Sequence, residues 1–387
     1  MIRTIKVMLI PNNRQKTRMF QYAGAARYAY NWALEAERAN YENGGKFISD
    51  ADLRRVFTQY KAEPGKGWLF NISNNVTKRA IKDACGAYQR FFQKKAAFPR
   101  FKSRKRSRLS FYQDPLKLKF TETHVKAEGF ASSKRKNRQK LNWIRLAEHG
   151  RIPVGAKYCN PRFTFDGLNW WVSVGMEFPD SDATPQGEGI GIDLGLKDLA
   201  ILSDGTKYAN INKSRKARKL EKKKRRLQRS VSRSYEKNKK KGKYCKTSNV
   251  TKKEKKLLRV HHKLTNIRTN YAHQITTGIA KREPSFVCME DLNVSGMTSN
   301  RHLSKAIRQQ SFRDFRRIME YKCAWNNIRF AAADRFFPSS KLCCQCGAVK
   351  SNLALRERVY RCEYCGNVID RDYQAALNLK AYGEAAV

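Results

Sequence analysis

Two Cys-x-x-Cys pairs, Cys343/Cys346 and Cys362/Cys365, constrain this chain more tightly than any other feature. Four thiolates on two short knuckles can converge tetrahedrally on one Zn²⁺ at about 2.3 Å. Gly347 and Gly366 each follow the second cysteine of a pair, where a turn with positive φ would aim backbone N–H groups at the sulfurs. The competing reading is two redox-active or buried cysteine pairs. Cys344, between two ligands, reads as a spare thiol. The chain has ten cysteines, the rest of them scattered, which suits a reducing compartment.

Three acids from distant segments form a second candidate centre. Gly189 to Gly195 followed by Leu199 to Leu202 reads as strand, glycine turn, strand, with Asp193 at the turn. Phe286 to Met289 is an apolar run that ends abruptly in Glu290. Asp372 lies near the start of a helix expected over Tyr373 to Tyr382, and Asp370 has the character of its N-cap. A core rejects carboxylates at strand positions unless a cation or hydrogen bonds hold them. Taken singly, each acid also reads as a cap or surface residue.

The charge balance calls for a polyanion. Against 33 Asp and Glu stand 81 Lys and Arg, a net charge of +48. Such a surplus repels itself until phosphates relieve it and release condensed counterions. Seventeen Tyr and twenty Phe argue against a disordered basic tail. No run of about eighteen apolar residues suggests a membrane span, and Met1 to Lys6 lacks a secretory apolar segment. A cytoplasmic, nucleoid-associated protein with no membrane partner is expected. A chain of 387 residues can bury cores for two or three domains.

Along the chain, Ile5, Val7 and Leu9 predict a half-buried strand ended by Pro11. A helix over Gln15 to Asn43 stops at Gly44-Gly45, a second is capped by Ser49 or Asp50, and a third runs from about Ser73 to Lys95. These helices interrupt a β domain. Arg100 to Arg108 interleaves cations with Phe101; this is a solvated face or, with its aromatics, a nucleic-acid contact. Short strands at Leu116–Phe120, His124–Ala127, Trp143–Leu146, Arg162–Phe165 and Trp170–Glu177 suggest a small barrel. Loop composition over Pro179 to Gly187 marks a boundary. Lys213 to Lys256 is dense in cations, but apolar stripes through Leu220 and Leu227 and through Val260, Leu264 and Ile275 predict a helical hairpin joined by a frayed Ser234–Thr251 connection. Gly296 to Ser311 is expected as a polar mobile lid, and Phe312 to Asn326 as a helix.

The motifs Gly191-Ile192-Asp193-Leu194-Gly195-Leu196-Lys197, Glu290-Asp291-Leu292-Asn293, Phe337-Pro338-Ser339-Ser340-Lys341 and Asp370-Arg371-Asp372-Tyr373-Gln374-Ala375-Ala376-Leu377-Asn378, in this order around the cysteines, resemble the TnpB family. These are transposon-encoded, RNA-guided DNA nucleases related to compact type V CRISPR effectors. The likeness spans nearly the whole chain, more sharply in its second half. It implies a multidomain α+β and α/β fold. A wedge barrel would begin at 1–12 and continue over 99–180, interrupted by a recognition insert at 13–98. A RuvC-like nuclease domain of RNase H fold would occupy 181–336, with a zinc ribbon at 337–368 and the last nuclease segment at 369–387.

The resemblance further implies Asp193, Glu290 and Asp372 as catalytic acids. Their charge could hold two Mg²⁺ for hydrolysis of DNA, besides one structural Zn²⁺. Guide RNA and target DNA are the implied partners, with one chain per RNA. Candidate nucleic-acid contacts are Asn74, Asn75, Lys78, Tyr112 and Gln113 beside the target, Arg100, Lys102 and Arg104 on phosphates, and Lys222, Lys223, Arg225 and Arg226 on the hairpin. Gln374 departs from the asparagine usual at that place. Alternatives are a nuclease-inactive RNA-guided repressor, a compact type V effector, a zinc-ribbon RNA binder, or an actin-like phosphotransferase. The last would need a second phosphate turn, and the sequence shows none.

Overall fold

The computed structural model describes residues 1–131, 140–240, 242–354 and 356–386. The chain divides into two compact units, Met1–Pro179 and Asp180–Val387, each with its own core.

In the first unit the opening strand β1 (Ile2–Ile10) turns Val7 and Leu9 into the core. Pro11 follows it, and a capping box between Asn12 and Gln15 starts α1 (Asn13–Glu42). Gly44, at φ +75°, follows the helix end and lets the chain turn back. Ser49, not Asp50, caps α2 (Asp50–Tyr60) through the Asp52 N–H. α3 (Asn74–Phe92) lays Val76, Ala80, Ile81, Ala84, Cys85 and Tyr88 inward.

The later strands β2 (Ser110–Tyr112), β3 (Lys119–Phe120), β4 (His124–Lys126), β5 (Trp143–Leu146), β6 (Tyr158–Phe165) and β7 (Trp170–Glu177) join β1 in a seven-stranded sheet. Its order is β2-β6-β7-β1-β5-β4-β3, and every pairing is antiparallel. The three helices therefore enter between β1 and β2. Among the described residues the strand order has β2 and β3 at its two ends, with no hydrogen-bonded pairing between them to close the small barrel expected from the sequence. Those end strands are only three and two residues long.

The second unit is built on a five-stranded sheet of order β10-β9-β8-β13-β14. Its strands are β8 (Ile190–Leu194), β9 (Asp198–Leu202), β10 (Lys207–Ala209), β13 (Phe286–Glu290) and β14 (Arg329–Ala333). β8, β9 and β10 are antiparallel neighbours, whereas β8, β13 and β14 run parallel. The crossover from β10 to β13 is a helical hairpin, α4 (Arg215–Lys237) and α5 (Ser248–Ala280), joined by the short ribbon β11 (Lys239–Lys240) and β12 (Lys243–Tyr244). Ala217, Leu220 and Leu227 of α4 pack on Val260 and Leu264 of α5. The expected frayed connection is mostly helix and ribbon.

Where a polar lid was expected, α6 (Val294–Ser299) and α7 (Ser304–Gln310) form, and α7 buries Ile307. α8 (Phe312–Trp325) then leads to β14, a strand that sequence reasoning missed. β13 is buried on both faces. Val287 and Met289 share a core with α5 and α8, while Phe286 and Cys288 pack with Leu379 of α9 (Arg371–Ala386). Between α5 and α8, the buried Lys322 ammonium donates to Thr276 Oγ1 at 2.7 Å, Thr277 Oγ1 at 2.6 Å and His273 O at 2.8 Å. Burial brings its pKa down to about 8. No helix among the described residues is long and apolar enough to cross a membrane.

Candidate active site and metal centre

Asp193 sits near the carboxyl end of β8 and Glu290 at the end of the parallel neighbour β13, while Asp372 lies in the first turn of α9. α9 crosses β8 closely enough that a Cβ on Gly191 would lie 2.1 Å from Ala376 O and 2.4 Å from Lys380 N. Only glycine permits that approach. Burial pushes the Asp193 carboxyl well above the usual range. The charges of Glu290 and Asp372 push the same way, and Arg371 opposes them. The Asp193 carboxyl, half-buried at the surface of the protein, therefore lies within the electrostatic reach of both other acids.

Each flanking group has a distinct task. Glu290 accepts a hydrogen bond from Ser339 Oγ. The segment carrying Ser339 is fixed by Asn378, whose Nδ2 donates to Ser339 O and Leu342 O, both at 2.7 Å. Both residues lie in motifs visible in the sequence, which gave them no task. Asp372 is 3.6 Å from Arg358. Asp370 accepts from the backbone N–H groups of Asp372 at 3.0 Å and Tyr373 at 3.1 Å, which is N-cap geometry, and from Lys207 Nζ at 3.1 Å. Burial alone would raise Asp370, but Lys207 and those N–H groups draw it below the ordinary value. Gln374 is fully buried, and neither amide atom has a partner in the protein.

The four cysteines meet. Their sulfurs all lie within 4.8 Å of one another, with Cys343–Cys365 and Cys346–Cys362 each 3.6 Å apart. A Zn²⁺ with four ligands at about 2.3 Å spaces its sulfurs by about 3.8 Å, so the donor set fits the ion. Gly347 and Gly366 have φ of +72° and +73°. Burial would raise the Cys343 thiol, yet the N–H groups of Cys346 and Gln345 overrule it and bring its pKa down to about 6. Cys344 instead takes a contact from Asn367 Nδ2 at 3.6 Å. Tyr360, the middle residue of β15 (Val359–Arg361), pairs with Ile369 of β16 (Val368–Asp370) and is buried against the knuckles. β16 leads directly into α9, tying this centre to Asp372.

The nucleic-acid candidates divide. Arg100, Arg104, Lys78, Lys222, Lys223, Arg225 and Arg226 are exposed. Lys102 lies over the Tyr30 ring, 3.4 Å from its centroid, and burial lowers its pKa. Asn74 is exposed and accepts from Lys61 Nζ at 2.8 Å. Asn75 Nδ2 donates to Asp114 at 3.0 Å. Gln113 was expected to touch bases, but it is buried, and its Oε1 accepts the Glu128 N–H at 2.6 Å. It pins two segments of the protein together: just past β2, it continues the alternation that buries Phe111 and leaves Tyr112 half-exposed. Tyr112 faces the other way, 5.1 Å from the Arg79 guanidinium. A small cavity of about 30 Å³ is lined by Tyr112, Lys102, Arg27, Arg79, Arg108 and Arg162. Sequence reasoning overlooked Arg27 and Arg162, which are isolated cations within a helix and a strand.

A relative from Streptomyces pristinaespiralis, described as "Putative RNA-guided DNA endonuclease", is 32% identical over 387 residues, covering 99% of this chain and 90% of the relative. The chain belongs to the TnpB family. InsQ of Escherichia coli (strain K12), with the same description, is 29% identical over the whole chain and 93% of its own length. Residues 173–301 match the family model "Probable transposase" (OrfB_IS605), and residues 312–379 match "Cas12f1-like, TNB domain". Residues 1–46 match a model described as "Helix-turn-helix domain", although here they form one strand and one long helix. Among solved structures, Cas12f1 in a complex with single-guide RNA and target DNA superposes with a TM-score of 0.61 at 13% identity, covering 98% of each chain. This TnpB therefore shares its mixed α and β fold with that effector.

Proposed function

We propose that this TnpB protein is an RNA-guided DNA endonuclease of transposon origin whose second unit is a RuvC-like nuclease domain. The observation that carries the chemistry is geometric: Asp193 and Glu290 stand at the ends of adjacent parallel strands, and α9, which carries Asp372 in its first turn, packs directly on β8. Carboxylates so placed are relieved by cations. The family descriptions and the +48 charge support nucleic acid as the partner.

Asp193, Glu290 and Asp372 would hold two Mg²⁺, which when bound supply an activated water and stabilise the leaving oxygen. Ser339 orients Glu290, and Asn378 holds Ser339 in place. Asp370 starts α9 and is bound by Lys207, which leaves Asp372 for the ligand set. The cysteines would hold one structural Zn²⁺. The exposed cations of α4 would follow nucleic-acid phosphates, and base pairing to the guide would select the DNA. One chain would serve one guide RNA in the cytoplasm, cutting next to a short flanking motif read by the first unit.

The test is cleavage of DNA matching the RNA that copurifies with the full chain, with Mg²⁺ and with chelator. Magnesium-dependent cutting that Asp193→Ala abolishes, with RNA binding intact, is expected. Cutting that persists in chelator or in that variant refutes the reading.

A further inference from the structure

Beside Glu290 lies a cavity of about 320 Å³ lined in part by Asp291, Arg313, Arg316 and Arg335. β13 ends at Glu290, and the Asp291 N–H still pairs with Ala333 O at 3.3 Å, which aligns the exits of the two parallel strands. Arg316 comes from the second turn of α8, and Arg335 lies two residues past β14. Asp291 Oδ1 accepts from Arg316, and Oδ2 accepts from Arg335 at 3.1 Å. The two guanidiniums, Arg316 foremost, hold the Asp291 carboxyl below the usual range.

One carboxylate cannot occupy two guanidiniums. Each has five N–H donors, and each gives Asp291 one bond through a different oxygen. The exposed Arg313 stands on the same rim. Three cations face Asp291 and Glu290, so the rim keeps a surplus positive charge beside an acidic centre. Both arginines are bonded to Asp291, while Glu290 is bonded to Ser339, so the arginines line the cavity beside Glu290 without capping it. Asp291 acts as a spacer that sets two forks at a fixed place and leaves most of their donors unspent.

We propose that Arg316 and Arg335, positioned by Asp291 and assisted by Arg313, form a phosphodiester-binding subsite that takes a phosphate next to the scissile one. This rests on the nuclease reading above. Planar guanidinium forks suit phosphate oxygens, and a lysine at either place supplies only a point charge. The subsite would fix the strand's register over the acids, so its loss raises KM more than it lowers kcat.

The experiment uses the full chain with its guide RNA and target DNA carrying one methylphosphonate, an uncharged linkage, moved one phosphate at a time across the cut. In wild type, one flanking position should raise KM by about tenfold or more. Arg316→Ala and Arg335→Ala should raise KM similarly on unmodified DNA and lose the added penalty at that position; Arg335→Lys should restore little. Equal penalties in wild type and both variants overturn the subsite, as does a lowered Tm with unchanged KM, because the arginines then only tie α8 to β14. Binding of the same DNA to Asp193→Ala protein by fluorescence anisotropy reads the subsite without cutting. Failure of the nuclease reading is thereby separate from failure of this one.

Discussion

Replacing Gly191 with alanine tests how the acidic centre is held together. Gly191 and Asp193 lie on the same face of β8, so the methyl group would project toward α9, which carries Asp372 in its first turn. The added carbon would lie 2.1 Å from Ala376 O, about 1.3 Å short of ordinary contact, and 2.4 Å from Lys380 N. Both are helix backbone atoms, which no rotamer change can move aside. α9 must lift by about 1 Å. Overpacking of this kind costs about 1 to 3 kcal/mol, and about 1 Å of misplacement at a reacting centre costs on the order of 100-fold in rate. Gly278→Ala, inside α5 with nothing within 4 Å, is the control and should gain up to about 1 kcal/mol of helix propensity. Cleavage rate and thermal unfolding are measured on both. Wild-type cutting and an unchanged Tm in Gly191→Ala would show that α9 does not seat on β8 at this distance, and the proposed convergence of acids would lose its support.

Glu290→Ala and Asp372→Ala should each abolish cutting while leaving RNA binding, whereas Asp370→Ala should cost about 1 kcal/mol of cap stability and retain measurable cutting; a dead Asp370→Ala with an active Asp372→Ala reverses the assignment. Cys362→Ser should lose bound metal and unfold the knuckles, to which a structural zinc contributes on the order of 10 kcal/mol, while Cys344→Ser keeps one zinc per chain by metal analysis. Gln113→Ala should destabilise the first unit by about 1 to 3 kcal/mol by leaving the Glu128 N–H without its acceptor; an unchanged Tm with an altered flanking motif would return Gln113 to base reading. Because Lys322 has a folded pKa of about 8 against 10.5 when exposed, the unfolded chain binds the extra proton between those values. Wild-type stability should therefore rise with pH across that window, by up to about 3 kcal/mol from this group, and the slope should vanish in Lys322→Met when followed by urea unfolding.

The sequence made some features legible because they follow short-range rules. Cysteine spacing needs no tertiary knowledge, and four sulfurs do meet. The helix ends expected at Gly44 and Ser49 fall within a residue or two of their places, because caps are local chemistry, whereas the Asn12 cap of α1 was not foreseen. β14 escaped notice because Arg329 to Ala333 has little apolar alternation; its place is set by pairing with β13. α6 and α7 were hidden by polar composition, since only Ile307 and Gln310 of α7 are buried. Gln113 misled for a related reason. An amide next to aromatics in a basic stretch suits a base edge, and its burial just past β2 depends on its bond to the Glu128 N–H, fifteen residues away. The Asp291 spacer was unreadable, because Arg316 and Arg335 lie 25 and 44 residues away in sequence.

The position of β1 bears on how the chain acquires its structure during synthesis. β1 is synthesised before every strand it pairs with, yet it joins the β2-β6-β7 strands to the β5-β4-β3 strands. Its longest partner is β7, with Ile2 opposite Glu177, and the amino group of Met1 donates to Phe178 O, 177 residues later. At about 5 to 20 residues per second, β1 waits roughly 10 to 35 s for that partner. Meanwhile α1 and α3, which contact each other extensively, can form from local sequence. The first unit thus closes last at its own beginning. Deleting residues 1–10 would divide one sheet into two three-stranded halves with four raw edges, a folding defect out of proportion to the length removed.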